Sequence, residues 1–145
     1  MDEHRKPTDQ TSRGGHPIVD SREPMDFGAQ AASSAEVERF ELLTLRAEQL
    51  VAGRPYLEFL RRERLSAGLY VLEAGADDPQ QPHAEDEIYH VLEGQAVLEV
   101  ATEQRPVKPG SVVFVGAGLE HRFHSVSSRL AVLVVFAPPE GSLEH

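Results

Sequence analysis

Between Gly75 and Gly94, Gln81, His83 and Glu87 offer an amide oxygen, an imidazole and a carboxylate, and His121 offers a second imidazole further along the chain. Side chains two apart on an extended segment project to the same side. Gln81 and His83 therefore share a face if Gln81-Pro82-His83 is extended, and Pro82 biases the residue before it away from helical backbone. By the same rule Glu87, Tyr89 and Val91 share a face of the strand that follows. His121 arrives from a second strand, re-aimed by Gly116 and Gly118. Two nitrogens and two oxygens, with at most one negative charge and no sulfur, suit one divalent Fe, Mn, Ni, Co or Zn ion better than soft-ligand Cu(I). His83, Glu87 and His121 alone form the two-histidine-one-carboxylate combination associated with non-haem Fe(II) oxygenases, with Gln81 as a weaker, neutral fourth ligand.

Other candidates carry less chemistry. His90 alternates out of phase with Glu87 and Tyr89, and His124 falls three residues after His121, so both point away from the face that holds the donors. They read as hydrogen-bonded or solvated residues. Glu85, Asp86 and the Asp77-Asp78-Pro79 turn read as solvated acidic turns, and Arg61 to Arg64 as a charged turn. Tyr56, Tyr70, Tyr89 and Phe123 are strand aromatics of the kind that fill a core. Tyr89 and Phe123, each two residues from a donor on the same face, are the ones placed to line a substrate pocket.

The donor spacing also carries a resemblance. Gly75, five residues, Gln81, Pro82, His83, three residues, Glu87, six residues and Gly94 follow the pattern Gly-x5-His-x-His-x3/4-Glu-x6-Gly, with glutamine at the first histidine. Gly110, Gly116, Gly118, His121 and Ser125 occupy the slots of Gly-x5-Pro-x-Gly-x2-His-x3-Asn, with glycine for proline and serine for asparagine. These paired motifs resemble those of the cupin superfamily, small β-barrels that hold one metal ion. The resemblance implies His83, Glu87 and His121 as ligands and Glu87 as the residue on which activity would turn. Gln81 is left either ligating the metal or hydrogen-bonding a water or substrate.

The surrounding elements fit such a barrel. Short apolar runs alternate with turn signals: strands are expected at Phe40–Leu45, Tyr56–Leu60, Leu65–Ala74, Glu87–Glu93, Ala96–Ala101, Val112–Val115, His121–Ser125 and Leu130–Ala137, and a helical turn or two at Arg46–Ala52 closed by Gly53. The pattern is all-β, a double-stranded β-helix or jelly-roll barrel with a short N-terminal helical turn. Residues 1–34 are polar and rich in Gly, Pro, Ser and Asp, and read as a disordered extension or an arm on a partner, with Met25 a candidate natural start. The barrel domain is assigned to 35–140. Residues 141–145 form a tail ending in Leu143-Glu144-His145, which resembles the beginning of a histidine tag.

Composition bounds the function. The chain has no cysteine, which removes disulfides, zinc-thiolate sites and thiol nucleophiles. A formal charge of −10 leaves no basic stripe for nucleic acid. No secretory h-region is visible and no apolar run approaches membrane-spanning length, so the expectation is a soluble, cytoplasmic protein. Apolar residues on both faces of Leu130–Ala137 predict a homodimer. The leading functional expectation is a metal-dependent enzyme such as a non-haem Fe(II) dioxygenase of a small organic molecule. A non-redox isomerase or lyase of a sugar-like substrate comes second, and a non-catalytic small-molecule-binding module third. A phosphosugar enzyme would need Lys or Arg in its cavity, and the motif region holds only Arg105, Lys108 and Arg122.

Overall fold

The computed structural model describes residues 37–143. The N-terminal extension expected at 1–34, the candidate start at Met25, and Glu144 and His145 all lie outside the described residues. A helix, α1 (Leu42–Ala52), precedes eight strands: β1 (Tyr56–Arg61), β2 (Ser66–Leu72), β3 (Asp86–Glu93), β4 (Ala96–Val100), β5 (Glu103–Val107), β6 (Val112–Val115), β7 (His121–His124) and β8 (Leu130–Ala137). They form two antiparallel sheets, one ordered β1-β2-β8-β3-β6 and the other β5-β4-β7. This is the expected all-β jelly roll. Among the described residues no helix is long and apolar enough to cross a membrane.

Strand alternation explains what each sheet buries. Along β3, Glu87, Tyr89 and Val91 are buried while Asp86 and Ile88 are exposed, the period-two pattern of a strand with one face inward. Of these, Tyr89 and Val91 join Tyr70, Val132 and Val134 of the larger sheet and Leu98 and Phe123 of the smaller one in a core common to both. β2 is buried at every position because it has a second cover. Its outward Leu69 and Val71, with Ala131 of β8, pack with Leu45 of α1. Arg46 of the helix adds an ion pair to Glu93 at 2.6 Å.

The helix corrects one expectation. Phe40–Leu45 is not a strand: residues 42–45 form the first turn of α1, which absorbs the shorter helical segment foreseen at Arg46–Ala52. A short apolar run does not separate strand from helix by itself, and the outer face of β2 and β8 selects the helix by taking Leu45. The helix ends as expected at Gly53, whose φ of 66° lets its N–H return to the Gln49 carbonyl. β5 was not expected. Its polar sequence and Pro106 place it where the ladder tolerates both, at the edge of the smaller sheet. Where the chain crosses from β3 in one sheet to β4 in the other, a side chain at Gly94 would put its Cβ 2.2 Å from the Arg129 carbonyl oxygen, so the crossing is open only to glycine.

Candidate metal centre

Three elements deliver the donors. Glu87 is the second residue of β3, His121 the first of β7 in the opposite sheet, and His83 sits on the loop entering β3. The two motifs are stitched together by backbone: Gly118 N–H donates to the His83 carbonyl at 2.8 Å, and Ala117 N–H donates to Asp86 Oδ1 at 3.0 Å. Glycine at 118, with φ of 76°, makes that turn available.

The ligand atoms of His83, Glu87 and His121 all lie within 4.8 Å of one another. His83 Nε2 is 3.1 Å from Glu87 Oε2, and His121 Nε2 is 3.4 Å from Glu87 Oε1. These contacts lack hydrogen-bond geometry, so all four atoms are buried without a hydrogen-bond partner. Each imidazole is oriented from behind: His83 Nδ1–H donates to the Glu85 carbonyl at 2.9 Å, and His121 Nδ1–H to the Leu119 carbonyl at 2.7 Å. Those bonds fix the tautomer and turn both Nε2 lone pairs inward, the outer-shell support that histidine metal ligands require. Four orphaned polar atoms facing one point, two nitrogens and a carboxylate, fit one divalent first-row cation.

The electrostatics agree. The Glu87 carboxylate beside it raises the His83 pKa above the ordinary value, against the lowering effect of burial. Burial also depresses His121, but Glu87 and the Leu119 carbonyl outweigh it and leave that pKa raised. Burial pushes Glu87 up, and His121, His83 and Tyr89 together pull it below the ordinary carboxylate range. A carboxylate 1% exposed is thus held ionised by the groups that would share its cation.

The centre opens onto a cavity of about 420 Å³ lined by Glu87, Tyr89, Tyr56, Tyr70, Phe136 and Val134, with Gln80, Arg54 and Glu140 among its other walls. Tyr89 is where the sequence placed it, its hydroxyl donating to Gln80 Oε1 at 2.6 Å. Phe123 is not a wall of this cavity. It lies behind Tyr89, ring to ring at 5.0 Å, as core. Gln81 is also displaced from its expected role: it is exposed, with its amide 3.5 Å from the Pro79 carbonyl, and its neighbour Gln80 reaches the cavity instead.

Asp78 selects between the two glutamines and was missed as a solvated turn residue. One of its oxygens accepts the Tyr70 hydroxyl and Gln80 N–H, and the other accepts Gln80 Nε2 at 2.6 Å and Phe123 N–H at 2.7 Å. Glu85 is a further correction, being fully buried rather than solvated, with Oε1 accepting Leu143 N–H at 3.3 Å and Oε2 without a hydrogen bond but 3.9 Å from His83 Nδ1. Nothing in the acidic runs marked either residue. His90 and His124 stand outside the centre as expected, His124 bonding Ser125 and Gln104.

Residues 68–137 match the family model for the cupin domain. Uncharacterized protein SCO3923 of Streptomyces coelicolor is 49% identical over 104 residues, covering 72% of this chain and 99% of that protein. The crystal structure of TT1209 from Thermus thermophilus is similar at 28% identity and a TM-score of 0.59, over 71% of this chain and 99% of that one. The DMSP lyase DddQ from Ruegeria pomeroyi matches at 28% identity and a TM-score of 0.51, over 58% of this chain and 42% of that one. An RmlC-like cupin with a double-stranded β-helix fold from Methanocaldococcus jannaschii shares the fold at 17% identity and a TM-score of 0.56, over 72% of this chain and 92% of that one. With its two glycine-bracketed motifs, its two packed sheets and the histidines and glutamate they bring together, the chain belongs to the cupin superfamily.

Proposed function

We propose that this cupin is a metal-dependent enzyme acting on a small organic molecule, and that its centre is that of an Fe(II) dioxygenase. One observation carries the reading: the cluster offers three groups that could ligate an ion, exposed Gln81 turns to the Pro79 carbonyl, and Glu87 lies on the wall of a cavity of about 420 Å³. Three ligands leave several positions of an octahedral ion for exchangeable groups. A bound iron would supply redox chemistry with O2 and a Lewis-acidic anchor for substrate.

The chain's own residues do the rest. The Glu85 and Leu119 carbonyls aim the two imidazoles, Glu87 keeps a negative charge at the centre, and Tyr89 and Gln80 form a fixed polar pair beside it. Val134, Phe136, Pro55 and Pro79 give the cavity an apolar lining.

A non-redox lyase is the second reading, favoured by the 28% identity to the DMSP lyase DddQ. A phosphosugar isomerase is disfavoured, since among the described wall residues Arg54 is the one cation. The test compares iron-loaded with zinc-loaded protein over small acids, phenols and sugars. Oxygen uptake by the iron form alone supports the dioxygenase; anaerobic turnover by the zinc form replaces it with the lyase. We also propose a homodimer, now through Ile88, Val112 and Phe114, which share the exposed face at the β3–β6 edge.

A further inference from the structure

All three tyrosines of the chain line the cavity, and they are not equivalent. The Tyr70 hydroxyl is donated to Asp78 and that of Tyr89 to Gln80. The Tyr56 hydroxyl is buried and has no hydrogen-bond partner among the described residues. An orphaned buried donor costs about 1–3 kcal/mol, so it calls for an explanation.

The fold makes a specific place for this side chain. Tyr56 opens β1 opposite Tyr70, and its ring lies across Gly68 of β2. A Cβ at position 68 would come within 2.2 Å of the ring and 2.3 Å of the hydroxyl oxygen. Gly68 sits in the interior of a strand buried throughout, where glycine weakens the strand and marks a close approach. The ring then stands edge-on to Phe136 at 6.2 Å, and Phe136 edge-on to His83 at 4.9 Å, so one aromatic side chain separates Tyr56 from a metal ligand.

The hydroxyl can act only as a neutral donor or acceptor. Burial, followed by the charges of Glu140, Glu58 and Glu87, raises its pKa far above the ordinary phenol value. The charged side chains of the cavity wall are one cation, Arg54, against two carboxylates, Glu87 and Glu140. A dication on the centre reverses that balance and leaves one positive charge in surplus.

We propose that Tyr56 is the residue that selects the cavity's ligand, a small organic monoanion that places one oxygen at the metal and a second acceptor oxygen against the Tyr56 hydroxyl. Gly68 is the positioning residue that opens the space for it. The inference rests on the metal reading above and deepens it by naming a ligand class.

The experiment uses the full chain loaded with zinc, and acetate, pyruvate and benzoate as probes, measured by calorimetry. Tyr56→Phe keeps the ring and removes only the oxygen. It should load zinc with wild-type stoichiometry and melt no lower than wild type without probe, since an orphaned donor is gone. Affinity for the best-bound probe should fall about tenfold, the worth of one hydrogen bond to a charged acceptor. Gly68→Ala, which displaces the ring, should lower probe affinity by at least as much while still taking zinc.

Three results would overturn the proposal: unchanged probe affinity in Tyr56→Phe, a lowered melting temperature with affinity intact, or no binding of any of the three probes by zinc-loaded wild type. Absence of zinc from the wild-type protein, seen before any probe is added, would instead fell the metal reading and this inference together.

Discussion

Glu87 sits between two imidazoles whose proton affinities it raises, and the same contact lowers its own. In the metal-free protein each group therefore stabilises the fold over a different range. His83 and His121, raised above 6.5, contribute fully below that value and lose the contribution as pH rises through their folded values. Glu87, lowered below 4.5, contributes above that value and loses it as pH falls through its folded value. The melting-temperature gap between metal-stripped wild type and Glu87→Gln should accordingly be widest between about pH 4.5 and 6.5. A gap that widens steadily above pH 8 would contradict this. Metal reverses the sense, because it competes with the imidazole protons and its stabilisation grows with pH. His83→Ala, Glu87→Ala and His121→Ala should each weaken metal binding by more than about 100-fold, whereas Gln81→Ala should leave loading unchanged in emission analysis. Within the candidate cluster, Glu87 and His121 were legible because β3 and β7 carry their alternation into it, and His83 only through its place in the motif. Gln81 was misread because residues 73–85 are in no strand, so alternation has no phase there, and Asp78 decides that Gln80 turns inward.

At the scale of elements, the motif slots carry backbone meaning as well as chemistry. Ser125, in the slot where the cupin pattern has asparagine, holds φ at 53°, a left-handed conformation that asparagine tolerates better than serine. Ser125→Asn should stabilise the barrel by about 0.5–1 kcal/mol. That is a rise of roughly 2–8 °C in melting temperature. A drop would show that the Ser125 hydroxyl's contact with His124 outweighs the strain. Strands β6 and β8 were legible to the residue because each is an apolar run bounded by turn signals. β5 was not, since an edge strand needs no apolar face and Glu103-Gln-Arg-Pro-Val107 shows none beyond its last residue. Helix α1 was half legible. Gly53 announced its end, but its start is decided by packing on β2 and β8, which no local pattern encodes.

For the whole molecule, the helix changes the case for assembly. The apolar outer face of β8, on which the sequence based its partner subunit, is covered in part, together with that of β2, by the chain's own Leu45. Val112 and Phe114, 67% and 64% exposed at the sheet edge, remain as surface for a second copy. Light scattering should give a dimer for wild type and a monomer for Phe114→Asp, with unchanged circular dichroism; a monomeric wild type at micromolar concentration would end the dimer proposal. The division of the ligands between the sheets has a consequence in time. His83 and Glu87 enter from the larger sheet and its loop, His121 from the smaller, and they converge only when the two sheets close on their common core. A nascent chain, lacking cysteine as well, offers no tridentate claw to a passing ion. On the metal reading proposed above, the barrel would condense first and choose its ion afterwards, so any metal it took up would report the free-ion pool of the place where it finishes folding.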